Sequence, residues 1–368
     1  MKYIFAGGGT GGHIFPAIAI ADELRKLDKN AEILFIGAKG RIEEKIVPAN
    51  NYELKTLDIK GIDRKVFYKN FFLPVKLIKA VIDSGKIIKD FKPDTVIGTG
   101  GFVCGPVVYA AGKAGIPTLI QEGNSFAGRT IKYLSLRSDK VIINFEETSD
   151  YLKRKDNILR IPHPIRSSLK KSERDQALKE FELDADRKTI FIFGGSQGAR
   201  GINEGVETML VRLYEKGYNI IWQTGVNDYN QLKKKFAEYA GRVKIFEFIL
   251  DMAKVYSASD LIICRAGITS IMEIAYFGLP AIFIPLPGSA EDHQYRNAES
   301  LVKRNSAVLI KQDEIKTKLY DKIIELTEND ILIKELRKNI SELSDADAAK
   351  RIAVEVIKLT GNNERKNI

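Results

Sequence analysis

A strand that runs straight into paired glycines occurs twice in this chain, and no other feature restricts the fold as strongly. Ile4-Phe5-Ala6-Gly7-Gly8 opens the first half, and Phe191-Ile192-Phe193-Gly194-Gly195 opens the second, 187 residues later. A short apolar run, a glycine turn and a helical period together make the start of a βαβ unit. Strand-like runs then alternate with helical periods, at 3–6, 33–36, 94–97, 118–120, 141–143 and 158–161, and again at 189–193, 219–222, 243–246, 261–263, 281–284 and 307–310. The pattern predicts an α/β chain of two doubly wound domains in tandem. Pro162 and Pro164 interrupt it ahead of a charged segment, which puts the seam within 162–171. A last helix is expected over about 346–359, with fraying from Gly361-Asn362-Asn363 onward.

Three glycine-rich turns stand at strand ends: Gly7-Gly8-Gly9-Thr10-Gly11-Gly12-His13, Gly98-Thr99-Gly100-Gly101, and Gly194-Gly195-Ser196-Gln197-Gly198-Ala199. Glycine lets a backbone approach a phosphate closely, and a helix start offers unpaired N–H donors. A tight bend with no ligand is the plainer alternative for any one of them. Pro16 is expected in the first turn of the helix that follows the first loop. Gly7, Gly9 and Gly12 satisfy the dinucleotide pattern, but the second strand ends Phe35-Ile36-Gly37-Ala38-Lys39, without the carboxylate an NAD ribose needs. No ATPase phosphate loop occurs.

Charge narrows the partners. The 368 residues carry a formal +10, with 44% hydrophobic and 29% charged residues, as in a folded globular chain. Residues 60–92 alone hold nine Lys/Arg against three Asp/Glu, interleaved with Phe67, Tyr68, Phe71, Phe72, Leu73, Val75, Leu77 and Ile78. Basic residues mixed with bulky apolar ones suit an anionic membrane surface, with Phe67, Lys69, Phe71, Phe72, Lys76 and Lys79 as candidates. An ordinary helix with its lysines in water reads equally well. No nucleic-acid motif accompanies the charge. The first residues enter a strand directly, so no signal peptide is expected, and no apolar run reaches the ~20 residues of a membrane span. Cys104 and Cys264 form no metal spacing and no disulfide framework.

In the second half, Cys264-Arg265-Ala266-Gly267-Ile268-Thr269-Ser270-Ile271-Met272-Glu273 reads as strand, turn and helix. The helix start could hold a diphosphate, while the Glu273 carboxylate could accept both hydroxyls of a ribose; a helix cap with a solvated Glu is the alternative. Glu291-Asp292-His293-Gln294-Tyr295-Arg296-Asn297-Ala298 opens a further helix.

Taken in order, Gly-Gly-Thr-Gly-Gly-His-Ile-Phe-Pro, Gly-Thr-Gly-Gly-Phe-Val-Cys-Gly-Pro, Gln-Glu-Gly-Asn, His-Pro-Ile-Arg, Gly-Gly-Ser-Gln-Gly-Ala, Cys-Arg-Ala-Gly…Glu and Asp-His-Gln-Tyr-Arg-Asn-Ala resemble glycosyltransferase family 28. Its wall-precursor members transfer N-acetylglucosamine from UDP-GlcNAc to lipid I. The resemblance runs from Gly7 to about Ala298. It implies a GT-B fold, in which two Rossmann-like doubly wound domains face a central cleft. The implied boundaries are 1–163, completed by the helix at about 346–360, for an acceptor and membrane-side domain, and 164–345 for a UDP-GlcNAc domain. No metal or other cofactor is implied. By motif, the Ile249 backbone meets the uracil, Glu273 the ribose, and Arg166, Ser196 and the backbone of Ile268, Thr269, Ser270, Ile271 and Met272 the phosphates and sugar. Gln294, Asn124, Thr10, Gly11 and Gly12 surround the N-acetylglucosamine, and Gly8, Gly9, Gly100 and Gly101 form acceptor or diphosphate loops. Other cell-wall-synthesis or division proteins are implied partners, at the cytoplasmic face of the membrane. Three departures stand out. The family more often has His-Glu-Gln-Asn at Gln121-Glu122-Gly123-Asn124 and Asn-Pro at His163-Pro164, and an aromatic after the position of Pro285.

The implied reaction is one inverting displacement at the anomeric carbon by the C4 hydroxyl of N-acetylmuramic acid. That hydroxyl needs a base. Of the three histidines, His13 closes the first glycine loop, and an imidazole of ordinary pKa suits the task; a His that only orients the loop is the alternative. Arg166, Ser196 and the helix after Gly267 are candidates to meet the charge of departing UDP. Three rival readings remain: a diacylglycerol glycosyltransferase, a UDP-sugar epimerase, and a non-catalytic nucleotide-sugar sensor. The first glycine loop together with Asp-His-Gln-Tyr favours the wall-precursor reaction, and a sensor would tolerate loss of His13 or Glu273.

Overall fold

The computed structural model describes residues 1–61, 71, 73–195 and 197–364. Two compact units emerge: Met1–Arg166 together with the segment from Asp345 onward, and Ser167–Ser344. The division thus falls after Arg166, which closes the first unit with its guanidinium 5.0 Å from the centre of the Phe15 ring.

The first unit runs β1 (Lys2–Gly7), α1 (Gly11–Leu27), β2 (Glu32–Ala38), α2 (Glu43–Ala49), β3 (Glu53–Leu57), α3 (Leu73–Phe91), β4 (Thr95–Gly100), α4 (Cys104–Lys113), β5 (Thr118–Glu122), α5 (Arg129–Leu134), β6 (Lys140–Ile143) and β7 (Ile158–Arg160). Its strands form one parallel sheet in the order β3-β2-β1-β4-β5-β6-β7. The sequence pattern missed β3. In that edge strand only Leu57 is buried, and Glu53 and Lys55 erase the apolar signal.

The second unit runs α6 (Arg174–Glu180), β8 (Thr189–Phe193), α7 (Arg200–Glu215), β9 (Asn219–Gln223), α8 (Tyr229–Lys235), β10 (Val243–Phe246), α9 (Met252–Ala258), β11 (Leu261–Cys264), α10 (Ile268–Phe277), β12 (Ala281–Phe283), α11 (His293–Val302), β13 (Val308–Leu309), α12 (Ile315–Glu328) and α13 (Asp330–Ser341). Its parallel order, β10-β9-β8-β11-β12-β13, repeats the first unit strand for strand, without a counterpart of β7. Both sheets therefore reverse winding direction at one place, between β1 and β4 and between β8 and β11. Strand ends splay apart there and leave room for a ligand.

Helix α14 (Ala348–Glu364) returns to the first unit. Its Ala348, Ile352, Ala353 and Val356 share a core with Tyr3, Phe5, Ile14 and Ala17. The helix continues through Gly361-Asn362-Asn363, where fraying was expected. Just before them Thr360 anchors it, with its hydroxyl 3.0 Å from that of Thr95. A second expectation also shifts. α1 begins at Gly11, so Pro16 lies inside the helix and deprives the Gly12 carbonyl of its usual N–H donor.

Candidate active site

In the first unit the loops after β1 and β4 lie side by side at the switch point, and their glycines make that contact possible. A Cβ at Gly7 would sit 2.1 Å from Thr99 Oγ1, one at Gly100 2.6 Å from His13 Nδ1, and one at Gly101 2.2 Å from the Gly8 carbonyl oxygen. Gly9, Gly100 and Gly101 also have φ of +88°, +104° and +78°, which other residues rarely adopt. Packing of loop on loop thus requires glycine at Gly7, Gly100 and Gly101 whether or not a ligand binds there. One backbone donor expected to face an anion is already committed. The Gly9 N–H is donated to the carboxylate of Glu43, a residue that sequence reasoning passed over, at 3.1 and 3.2 Å.

His13 is held at both ends. Its carbonyl accepts a hydrogen bond from Thr99 Oγ1 at 2.7 Å, and its Nδ1 lies 3.1 Å from the Thr99 carbonyl oxygen. A carbonyl can only accept, so Nδ1 carries the proton and the neutral ring keeps its lone pair on Nε2. Thr10, extended and exposed, caps α1 without a side-chain bond, and Gly11 and Gly12 form the first turn.

The two departures from the family pattern in this unit prove to be one contact. Gln121 Nε2 lies 3.0 Å from His163 Nδ1, with both side chains buried. Burial pushes the His163 imidazole down to about 3, and repulsion from His13 whenever that ring is protonated adds to the shift, so His163 is neutral at physiological pH. Next to it, the Glu122 carboxylate accepts from the Asn124 N–H at 3.0 Å and from Asn124 Nδ2 at 2.9 Å, which fixes the Asn124 side chain.

In the second unit the loops after β8, β9 and β10 are stitched together by Gln223, the last residue of β9. Its Nε2 donates to the Gly195 carbonyl at 3.0 Å, and its Oε1 accepts from the Ile249 N–H at 2.8 Å. The middle strand of three therefore sets the spacing between the glycine loop and Ile249. Ser196 lies outside the described residues. Gly198 and Gly225 pack the same loops so closely that Cβ atoms there would sit 2.1 Å from the Thr224 oxygen and 2.5 Å from the Gln197 oxygen.

Helix α10 starts at the other side of this switch point, with Gly267 extended as its cap. Glu273 is only 3% exposed, so the alternative of a solvated Glu fails. Tyr256 Oη donates to its Oε2 at 3.2 Å. The Thr269 hydroxyl in the first turn is buried and has no hydrogen-bond partner among the described residues. Ile268, Ile271 and Met272 are buried, and Ser270 is half-buried. Gln294 accepts from the Leu286 N–H at 2.9 Å through Oε1, at the start of α11. Sequence reasoning missed Gln223 and Tyr256, because neither stands in a glycine or acidic motif.

Away from these loops, α3 buries Ala80, Ser84 and Ile88 and turns a second apolar line outward. Val75, Ile78 and Ile82 are 63, 62 and 54% exposed, and Phe71 just before them 80%. Lys79 is exposed on the same helix, and Lys76 is half-buried with its Nζ 3.6 Å from Asp58 Oδ1. Phe67, Lys69 and Phe72 lie outside the described residues. No helix among the described residues is long and apolar enough to cross a membrane, and no three His, Cys, Asp or Glu side chains among them gather as a metal site requires. Cys104 and Cys264 are buried free thiols; burial pushes Cys104 up to about 12 and raises Cys264 as well, so neither is a nucleophile.

Comparison with known proteins agrees with this geometry. Residues 3–143 match the glycosyltransferase family 28 N-terminal domain, and residues 189–352 match the family 28 C-terminal domain. A UDP-N-acetylglucosamine--N-acetylmuramyl-(pentapeptide) pyrophosphoryl-undecaprenol N-acetylglucosamine transferase of Phocaeicola vulgatus is 42% identical, covering 100% of this chain and 98% of its own. The enzyme of the same name from Thermoanaerobacter sp. is 41% identical over 96% of this chain and 98% of its own. Among solved structures, Acinetobacter baumannii MurG superposes with a TM-score of 0.77 at 28% identity, covering 97% of this chain and 99% of that one. A Neisseria meningitidis UDP-GlcNAc 2-epimerase shares the fold, with a TM-score of 0.67 at 15% identity over 97% of this chain and 100% of that one. With two parallel-sheet Rossmann-like units of the GT-B type and both family domains in order, this chain belongs to glycosyltransferase family 28.

Proposed function

We propose that the chain transfers N-acetylglucosamine from UDP-GlcNAc to the C4 hydroxyl of N-acetylmuramic acid in lipid I, yielding lipid II and UDP in peptidoglycan synthesis. The relatives at 41–42% identity over nearly the whole chain carry that activity in their names. The observation that carries the chemistry is the His13 tautomer: Nδ1–H faces the Thr99 carbonyl, so in the neutral ring the basic lone pair lies on Nε2.

His13 Nε2 takes the proton of the acceptor hydroxyl as its oxygen bonds to the anomeric carbon. The bond from that carbon to the UDP oxygen breaks on the opposite side, and UDP leaves with the electron pair, inverting the centre. Glu273 accepts from the ribose, held ready by Tyr256. The orphaned Thr269 hydroxyl and the first turn of α10 offer donors to the diphosphate or sugar, with Arg166 and Ser196 as further charge-stabilising groups. Ile249 lends backbone to the uracil, while Gln294, Asn124 and the Thr10-Gly11-Gly12 turn border the sugar. The exposed apolar line on α3 with Lys76 and Lys79 supports docking on an anionic membrane, where a lipid-linked acceptor resides.

Labelled UDP-GlcNAc, lipid I and purified protein test the reading. Label in lipid II supports it. Label on diacylglycerol, isomerised donor or unchanged donor would replace it with a lipid glycosyltransferase, an epimerase or a sensor. In the same assay His13→Ala should lower kcat by roughly 10³-fold, the usual worth of a general base, with UDP-GlcNAc binding retained. Near-normal turnover would remove His13 from that role.

A further inference from the structure

Glu43 is 0% exposed, and backbone N–H groups meet its charge. Its Oε1 accepts from the Ala38 N–H at 2.9 Å and the Gly9 N–H at 3.1 Å, and its Oε2 lies 3.2 Å from the same Gly9 nitrogen. It thereby ties the end of β2 to the loop after β1. Two glycines give it room. A Cβ at Gly8 would sit 2.2 Å from its Oε1, and one at Gly37 2.6 Å from its Cγ.

Burying a carboxylate is costly unless its oxygens are well satisfied, and an apolar side chain would join these segments at less cost. What an apolar side chain cannot do is hold a backbone N–H in place. The Gly9 N–H so held has φ +88° on its residue, and the preceding Gly8 carbonyl rests on Gly101. Gly100 and Gly101 in turn lie against the His13 ring, with Cβ positions 2.6 Å from its Nδ1 and 3.3 Å from its Cδ2. A continuous line of contact runs from the Glu43 carboxylate through Gly8–Gly9 and Gly101 to the imidazole.

We propose that Glu43 is a positioning residue for the transfer reaction: its grip on the Gly9 N–H fixes the first glycine loop, and through it the His13 ring, where the acceptor proton is removed. This rests on the reading of His13 as the base.

The test is steady-state transfer by full-length Glu43→Gln and Glu43→Asp, with labelled UDP-GlcNAc and lipid I, beside wild type. The Gln amide puts an NH2 donor against the Gly9 N–H where Oε2 now lies and gives up the negative charge, and Asp is a methylene too short to reach both N–H groups. Displacing the base by about 1 Å lowers kcat by about 100-fold, while the KM for UDP-GlcNAc stays within about 2-fold. Full kcat in either folded variant overturns the proposal. So does a kcat loss that brings an equal loss of donor binding, since that marks general damage to the fold. Should one variant fail to fold, the other decides. A wild-type enzyme that makes no lipid II would instead sink the functional reading itself, and the two failures are told apart by the wild-type lane.

Discussion

Replacing His163 by Asn removes a buried imidazole whose protonation the fold resists, and its signature is a change in how stability depends on pH. His163 has an ordinary value of 6.5 when exposed and is pushed down to about 3 in the folded chain, by burial first and by His13 second. The folded state therefore refuses a proton that the unfolded state accepts. This contribution is fully present above pH 6.5 and is lost as the pH falls from 6.5 toward 3. Each unit below 6.5 takes away about 1.4 kcal/mol, so moving from pH 7 to pH 5 removes about 2 kcal/mol. That is a large share of the ~5–15 kcal/mol of a typical domain. The penalty has a visible cause: Gln121 Nε2 faces Nδ1 at 3.0 Å, where a second proton would go, and His163 Nε2 is buried without a partner among the described residues. Urea unfolding followed by circular dichroism at pH 7 and pH 5 measures the loss for wild type and for His163→Asn. The wild type should lose about 2 kcal/mol more than the variant between the two pH values. Any packing that the smaller side chain gives up acts equally at both pH values and drops out of the difference. Trp222, the only tryptophan, is buried in the second unit, so its fluorescence serves as an internal control that should not differ between the proteins. Equal pH dependence of the first unit in both proteins would refute a neutral, buried His163.

Tyr256→Phe removes the donor to Glu273. Loss of a hydrogen bond to a charged group should raise the KM for UDP-GlcNAc about 10-fold with little change in kcat, and an unchanged KM would show that Glu273 needs no such orientation. On α3, Lys76→Ala with Lys79→Ala should weaken cosedimentation with phosphatidylglycerol-rich vesicles about 30-fold, at ~1 kcal/mol per lysine. An equal loss from purely zwitterionic vesicles, or none from either, would remove the lysines from the membrane surface.

Much of the architecture could be read along the chain. Alternating apolar runs located twelve of the thirteen strands among the described residues, and the repeated strand-glycine opening announced two units of one topology. The absent carboxylate after the second strand counts against an NAD ribose site. What the glycines were for could not be read this way. Gly8 is small because of Glu43, Gly100 because of His13, and Gly101 because of the Gly8 carbonyl. The decisive bonds join residues far apart in sequence: Gly9 to Glu43 across 34 positions, His13 to Thr99 across 86, Gln121 to His163 across 42.

Local pattern therefore determined which segments become strands, turns and helix starts, because periodicity and glycine content act over a few neighbouring residues. Tertiary packing alone decided which imidazole nitrogen keeps the lone pair a base needs, which carboxylates are buried, and which loop N–H groups are already taken. Those properties depend on the atoms that meet when distant strands align in one parallel sheet, and no residue carries that information in its own neighbourhood along the chain.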